Sequence, residues 1–590
     1  MMFGRKARRH RAEAESPAPL AVQVPVTSTA AAVAATEPPA VVQTVPRTVD
    51  LRVLLLTSGD DEPSAQAWRA RLDSEGVPFD ELVAGVDPLT SATLERGPRH
   101  GKYQAVILAT DALVRLRDGA YESSLDAQAW NTLRGYLGAY GVRQISAYST
   151  PGPTMGLKPA TWAGDLGDVV VRLTDAGRAV FTDLVGDVPL SPGTYGYQTE
   201  VLDAANFTTL VVGQQDSPVV GVFTHPDGRE ELVVTVASGP FSRHMHLLGH
   251  GMLAWVTRGR YLGHHGYFLS AQIDDVLLGS PVPIGADPIR MSPDDVRATA
   301  GWSRQTQVRL DFAFNGWGSV TATMDGEADP LTDSLIEAAG EFNWINHTFG
   351  HLDLDLLSAA EIADEVTRNL TWAGEHGIDV PADTLVTGAH SGLDNPALAG
   401  VADACGIRWI ASDASRTPLV RQLAGAHLVP RHPVNIPLDV CTQDALLRQR
   451  GGPSAATGVV DTLERVEVLA LEASLILTHL LSNDPRPHYT HQNALVGDRL
   501  FLGLLDSVLQ SYHALIATRP VQLTLAEAGL ELLRRAVWSL VAGHGAVSAR
   551  DTDGVIEIVN DSDRSIEVPC AGADARGGWV SVPAGGRLVI

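Results

Sequence analysis

The chain has 590 residues, 45% of them hydrophobic, and a formal charge of −25 at pH 7. That length holds about three or four domains with full cores, and the acidity argues against nucleic acid as a partner while suiting a cationic polymer. The three cysteines, Cys405, Cys441 and Cys570, supply neither a disulfide framework nor a cysteine-type zinc site, and no stretch reaches the length of a membrane span.

Residues 1–48 begin with Arg5, Lys6, Arg8 and Arg9 and continue rich in Ala, Pro, Val and Thr. Pro25 and Thr27-Ser28-Thr29 break up any apolar core of signal-peptide length, so the segment reads as a disordered, low-complexity N-terminus without a clear export signal. Residues 49–255 form a region of their own. Apolar runs at Leu51 to Leu56, Ala105 to Leu108 and Val142 to Tyr148 alternate with helical patterns at Ala65 to Glu75 and Ala127 to Tyr140, which predicts a small parallel α/β layer. Over 168–238 short apolar runs alternate with turns such as Pro226-Asp227-Gly228, a pattern of antiparallel strands. A helix over His244 to Arg258 ends the region, and its histidines (His244, His246, His250) read as a helix face or a domain interface.

Residues 256–518 alternate strand and helix. Strands are predicted at 267–274, 308–314, 343–348, 384–389, 407–412 and 428–436, with helices at 292–303, 331–341, 358–376 and 395–405. Ser358-Ala359-Ala360-Glu361 resembles a capping box. Six or seven such units imply an incomplete (β/α) barrel with chemistry at the C-terminal strand ends, closed by long helices over 461–481 and 497–517. Residues 519–590 begin with a helix and continue as short strands around turns at Asp551-Thr552-Asp553-Gly554 and Asn560 to Asp563, a small β-sandwich accessory domain. The fold class is therefore α/β multidomain.

Three motifs carry chemistry: Gln272-Ile273-Asp274-Asp275, Asn346-His347-Thr348-Phe349-Gly350-His351, and Tyr489-Thr490-His491-Gln492-Asn493. A catalytic zinc needs about three protein ligands and an open position, and one carboxylate with two imidazoles meets that need. His347 and His351 share a face if the segment turns helical after its strand. Successive side chains of a strand point apart, so Asp274 and Asp275 divide the work only where the chain turns. One then binds metal while the other takes a proton from water whose pKa the metal lowers toward about 7. His491 lies in a polar loop after Pro485 and Pro487. Asp274-Asp275, His347, His390 and Asp413 fall at the ends of four different predicted strands.

These motifs resemble those of the NodB-type polysaccharide deacetylases, whose first motif ends in Asp-Asp and whose second is His-Ser/Thr-x-x-His. The wider wording at 346–353, 388–396, 409–415 and 488–495 is most similar to the fungal galactosaminogalactan deacetylase family and its bacterial relatives. The resemblance covers most of residues 255–515. It implies Asp274 as general base, Asp275, His347 and His351 as metal ligands, and His491 as the acid that protonates the leaving amine. It also implies pocket roles for His390, Ser391, Asp413 and Asn493, a β-rich carbohydrate-binding module within 49–255, and one divalent ion, zinc with cobalt or nickel as alternatives. The expected activity is metal-dependent removal of N-acetyl groups from an N-acetylhexosamine polymer outside the cell, N-acetylgalactosamine-containing by resemblance.

Two departures leave roles open. The family's Arg-containing third motif is absent, so the residue that orients the base is unassigned, with Arg416 and Arg431 as candidates. Leu475 to His479 also looks like the Leu-x-x-His ending of ordinary members, which makes His479 a rival to His491. A glycoside hydrolase on the same barrel needs paired carboxylates but no histidine pair. A non-catalytic carbohydrate-binding surface protein would release no acetate. The sequence specifies no oligomeric state.

Overall fold

The computed structural model describes residues 47–59, 62–117, 120–282, 287–450, 465–570 and 578–590. The expected disordered N-terminus therefore lies outside the described residues except for Arg47 and Thr48, and Thr48 already belongs to a strand, Thr48–Asp50.

Seven parallel strands close into a barrel. They are Ala271–Val276, Asp311–Phe314, Asn343–Asn346, Thr384–Leu385, Trp409–Asp413, Ala426–Pro433 and His488–His491, neighbours in chain order around the ring. A short strand, Arg421–Leu423, adds to the sixth as an antiparallel hairpin. The barrel is closed not by the helices expected to do so but by the seventh strand, which pairs with the sixth through His488 and His432 and with the first through His491 and Asp274. The helices Arg465–Leu481 and Leu500–His513 pack on each other instead.

Alternation along each strand sorts its side chains. Ile273, Phe312, Phe314 and Trp344 point outward into the largest core, while Ala313, Ile345, Val386, Trp409, Ala411 and Val429 fill the interior. Leu525 and Ala528, in the first turns of helix Leu525–His544, belong to that interior cluster and plug the barrel. The plug approaches so closely that a Cβ on Gly529 would lie 2.3 Å from the Trp409 ring. The capping box expected at Ser358 is formed: its hydroxyl accepts from the Glu361 amide, and the Glu361 carboxylate accepts from the Ser358 amide.

The two patterns read separately in residues 49–255 belong to one nine-stranded sheet. The joint is Glu230–Val234, which runs parallel to Arg143–Ser146 on one side and antiparallel to Pro218–Thr224 on the other. In the C-terminal region, Val547–Thr552, Val555–Asn560 and Arg587–Val589 form a sheet with Thr48–Asp50, and the hairpin Ile566–Pro569/Trp579–Val582 shares their core around Trp538, Ile558 and Val568. No described helix is long and apolar enough to cross a membrane.

One buried acid inside the barrel has a measurable consequence. Asp311 is 3% exposed and accepts from the Gln272 and Asn343 side-chain amides at 3.0 and 2.8 Å. Burial nonetheless pushes its carboxyl up from 3.8 to about 6. A group whose folded pKa is raised stabilises below its unfolded value and loses that contribution as pH rises through the folded one. The Tm of the wild type is therefore expected to fall relative to Asp311→Asn between pH 3.8 and about 6, with a constant gap above. Thermal melts of both proteins across that range check it.

Candidate metal centre and active site

The chemistry collects at the C-terminal ends of the barrel strands. Asp274 and Asp275 lie near the end of the first strand, with Asp275 at φ +64. That left-handed turn costs an L residue about 1–2 kcal/mol, and it lets adjacent carboxylates face different partners. His347 follows the third strand directly. It and His351 do not stack on a helical turn as the spacing predicted. They sit in a loop in which Thr348 (φ 64) and His351 (φ 55) are left-handed. Buried asparagines build that loop. Asn315 donates to the carbonyls of His347 and Thr348 at 2.6 and 2.9 Å, and Asn369 donates to the Asn346 side chain at 2.9 Å, whose oxygen accepts from the Thr348 amide. Glu365 accepts from the Gly350 amide at 2.7 Å. Asn315, Asn369 and Glu365 are functional supports that motif reading missed, because each lies on a different element from the loop it holds.

The loop aims both imidazoles at one carboxylate oxygen: His347 Nε2 and His351 Nε2 each lie 3.2 Å from Asp275 Oδ1. The ligand atoms of this trio all lie within 4.8 Å of one another. His347 Nδ1 faces the Val386 carbonyl at 3.0 Å, so both of its ring nitrogens face acceptors. A buried imidazole between two acceptors is satisfied either as imidazolium or by a cation at Nε2 with Nδ1–H donated to the carbonyl. The residues therefore fit a divalent ion. Burial works against ionisation of Asp275, but the hydrogen bond from His347 and the nearby imidazoles of His347, His491 and His351 together outweigh it and hold the carboxyl below its ordinary range. A Cβ on Gly388 would lie 3.1 Å from the His351 ring, so any larger residue in the loop after the fourth strand would press that imidazole by a few tenths of an ångström.

Asp274 faces the other way. Arg431 Nη1 and Nη2 donate to its two oxygens at 2.8 Å each, and Nη1 also reaches Gln272 Oε1 at 3.2 Å. Arg431 is fully buried beneath the Tyr489 ring, 4.1 Å from its centroid. Burial opposes the charge on Asp274, and the guanidinium outweighs it, holding the carboxyl well below the ordinary range. Of the two candidate arginines, Arg431 is the one that pairs with Asp274; Arg416 lies 3.9 Å from Asp413 instead.

His491 is not in a loop. It ends the seventh strand, half-buried, as the register partner of Asp274. Tyr489 shares its side of that strand, and the intervening side chains of His488 and Thr490 point the opposite way. His479 Nδ1 contacts His488 Nε2 at 3.0 Å and its ring stacks on His432 at 3.9 Å, which puts it behind the barrel wall from Asp274. His390 Nε2 lies 3.1 Å from the Tyr489 hydroxyl, which in turn lies 3.4 Å from Asp413 Oδ2. Burial and then Arg431 pull His390 down to about 4, and burial pushes Tyr489 up to about 12, so both are neutral at physiological pH. Two residues expected in the pocket also hold the loops. Ser391 donates to the Gly388 carbonyl at 2.7 Å and accepts from the Leu354 amide at 3.0 Å. Asn493 is fully buried, and its amide donates to the carbonyls of Pro437 and Val440 at 2.8 and 2.6 Å.

A second trio, Glu75, His250 and His265, also converges. Arg71 already pairs with Glu75 at 3.2 Å, and the two imidazoles stack face to face at 3.7 Å rather than converging edge-on. It is a buried joint between the helices of residues 49–255 and the chain entering the barrel, in keeping with the interface reading of His250.

A closed parallel barrel with these residues at its mouth and a nine-stranded N-terminal sheet together make a multidomain α/β fold that a solved structure shares. Residues 49–255 match the family model described as Agd3 CBM87. The whole chain is similar in fold to the crystal structure of Agd3, described as a novel carbohydrate deacetylase, with TM-score 0.78 and 17% identity over 92% of this chain and 98% of that one. Also similar are the chitin deacetylase from the fungal pathogen Colletotrichum lindemuthianum (14% identity, 45% of this chain, 88% of that one, TM-score 0.26) and a family 4 carbohydrate esterase from Streptomyces lividans in complex with acetate (13%, 42%, 89%, 0.24). No curated protein matches the chain.

Proposed function

We propose that this protein is a metal-dependent deacetylase that removes N-acetyl groups from an N-acetylhexosamine polysaccharide, with N-acetylgalactosamine polymers as the first substrate class. The observation that carries the reading is the division of labour between two adjacent carboxylates. Asp275 faces two imidazoles at 3.2 Å, while Asp274 faces a guanidinium at 2.8 Å. A divalent ion held by Asp275, His347 and His351, zinc first and cobalt or nickel as alternatives, would supply a Lewis acid for the acetamide carbonyl and an acidified water. Asp274, kept ionised by Arg431, accepts the proton of the attacking water. His491, on the strand beside it, gives a proton to the departing amine, leaving acetate and a free amino sugar. Neutral His390 and Tyr489 and the Asp413 carboxylate offer hydrogen bonds to sugar hydroxyls. The N-terminal module holds the polymer, in keeping with its family match.

The test is acetate release from N-acetylgalactosamine and N-acetylglucosamine hexamers, with chain length followed by mass spectrometry. Acetate with unchanged chain length supports the deacetylase; shortened chains support a glycosidase, and binding without either product a surface lectin. We place the enzyme with its polymer outside the cell, and fractionation of the producing cells tests that.

A further inference from the structure

Trp317 is one of the large apolar side chains the fold leaves exposed, at 36%. A lone exposed tryptophan is ordinary; its mounting here is not. Residues 315–318 form a bridge between the two loops that present the metal ligands. On one side the Asn315 amide donates to the Val276 carbonyl at 3.1 Å, just after Asp275, and Arg290 ties the Leu277 and Gly318 carbonyls together at 2.8 and 3.4 Å. On the other side Asn315 holds the carbonyls of His347 and Thr348, and the Trp317 amide donates to the Phe349 carbonyl at 3.1 Å. Phe349, between the two histidine ligands, lies 6.0 Å from the indole at 60° and is backed by Arg368, 4.2 Å from its ring. Beyond His351 the chain exposes another apolar group, Leu352, at 47%.

A part-exposed indole carried on backbone that is tied to both loops, and packed on Phe349, offers what the apolar face of a pyranose requires: a flat, amphipathic surface. We propose that Trp317 is the stacking platform for a sugar ring of the polymer, setting affinity for oligosaccharide without taking part in acetamide cleavage. This rests on the deacetylase reading above.

The test compares Trp317→Ala and Trp317→Phe with wild type on an N-acetylgalactosamine hexamer and on p-nitrophenyl acetate, a small ester without a sugar, with metal content measured for each. Loss of one aromatic stack is worth about tenfold. The expected result for Trp317→Ala is KM for the hexamer up about tenfold with kcat within twofold, ester hydrolysis and metal content unchanged, and most of the KM restored in Trp317→Phe. An unchanged KM overturns the proposal. So does a joint loss of metal and of both activities, which would mark Trp317 as a prop for the ligand loops. Should wild type release no acetate, the deacetylase reading fails by itself. Titration calorimetry with the same hexamer then decides on Trp317: an affinity about tenfold weaker in Trp317→Ala supports the platform, and superimposable isotherms refute it.

Discussion

Asp274→Asn is expected to lower kcat for acetate release by about three orders of magnitude, within the range attributed to general-base catalysis, while the protein still binds its metal. The amide is nearly isosteric with the carboxylate but cannot take a proton from water. The proposed ligands do not depend on Asp274 for their positions: Val386 and Asn315 hold His347, the left-handed backbone turns Asp275 aside, and the Glu365 bond to the Gly350 amide steadies the loop before His351. The variant does leave the buried guanidinium of Arg431 without its anion, and breaking such a pair costs about 3–5 kcal/mol. A lower Tm accompanies the lost activity. Acetate assays under single-turnover conditions, with metal analysis of the same sample, separate the two effects. A kcat within tenfold of wild type would assign the base elsewhere.

Arg431→Met has the second largest effect and a different signature. Methionine keeps much of the volume and removes the charge, so Asp274 is left buried without compensation. Its carboxyl then moves from well below 3.8 to above it. In the wild type a depressed carboxylate contributes stability above its unfolded pKa and loses it as pH falls through the folded one. The variant lacks that contribution and carries the penalty of a raised carboxyl, so its Tm deficit is large at neutral pH, begins to narrow as pH falls through the raised value, and narrows further below about 4. Activity at neutral pH falls about a hundredfold as the base loses its orientation and ionisation, and the acid limb of the pH–rate profile moves upward. Arg431→Lys keeps a charge but not the two-pronged geometry and falls between. An Arg431→Met profile that overlays the wild type's would show that the guanidinium does not govern Asp274.

Much of the site was legible because its chemistry is local in sequence. Asp274-Asp275 and His347/His351 are short motifs, and the alternation around them predicts strands that end where they stand. What was not legible depends on pairings distant in the chain. Arg431 is separated from Asp274 by 157 positions and meets it only because the sixth and seventh strands close the ring onto the first. His488–His491 reads as a polar loop because four residues next to Pro485 and Pro487 carry too little pattern to declare a strand, although barrel pairing buries three of them. The histidine ligands were expected on a helical turn from their spacing of four. The asparagines at 315, 346 and 369 impose a left-handed loop there instead. The pairing of the Asn493 side-chain NH2 with the Pro437 and Val440 carbonyls also joins positions more than fifty apart, which its residue type does not announce. In residues 49–255 the parallel and antiparallel patterns seemed separate because Glu230–Val234, which joins them, carries no local sign of pairing two ways.

One ion held by Asp275, His347 and His351 is expected to make this protein a deacetylase. The most direct test is a zinc titration of chelator-stripped protein, following acetate release from an N-acetylgalactosamine hexamer. The expected result is no acetate without metal, a linear rise, and a break at one zinc per chain that disappears in His347→Ala. Acetate release by the stripped protein, or a titration that His347→Ala leaves unchanged, would contradict it.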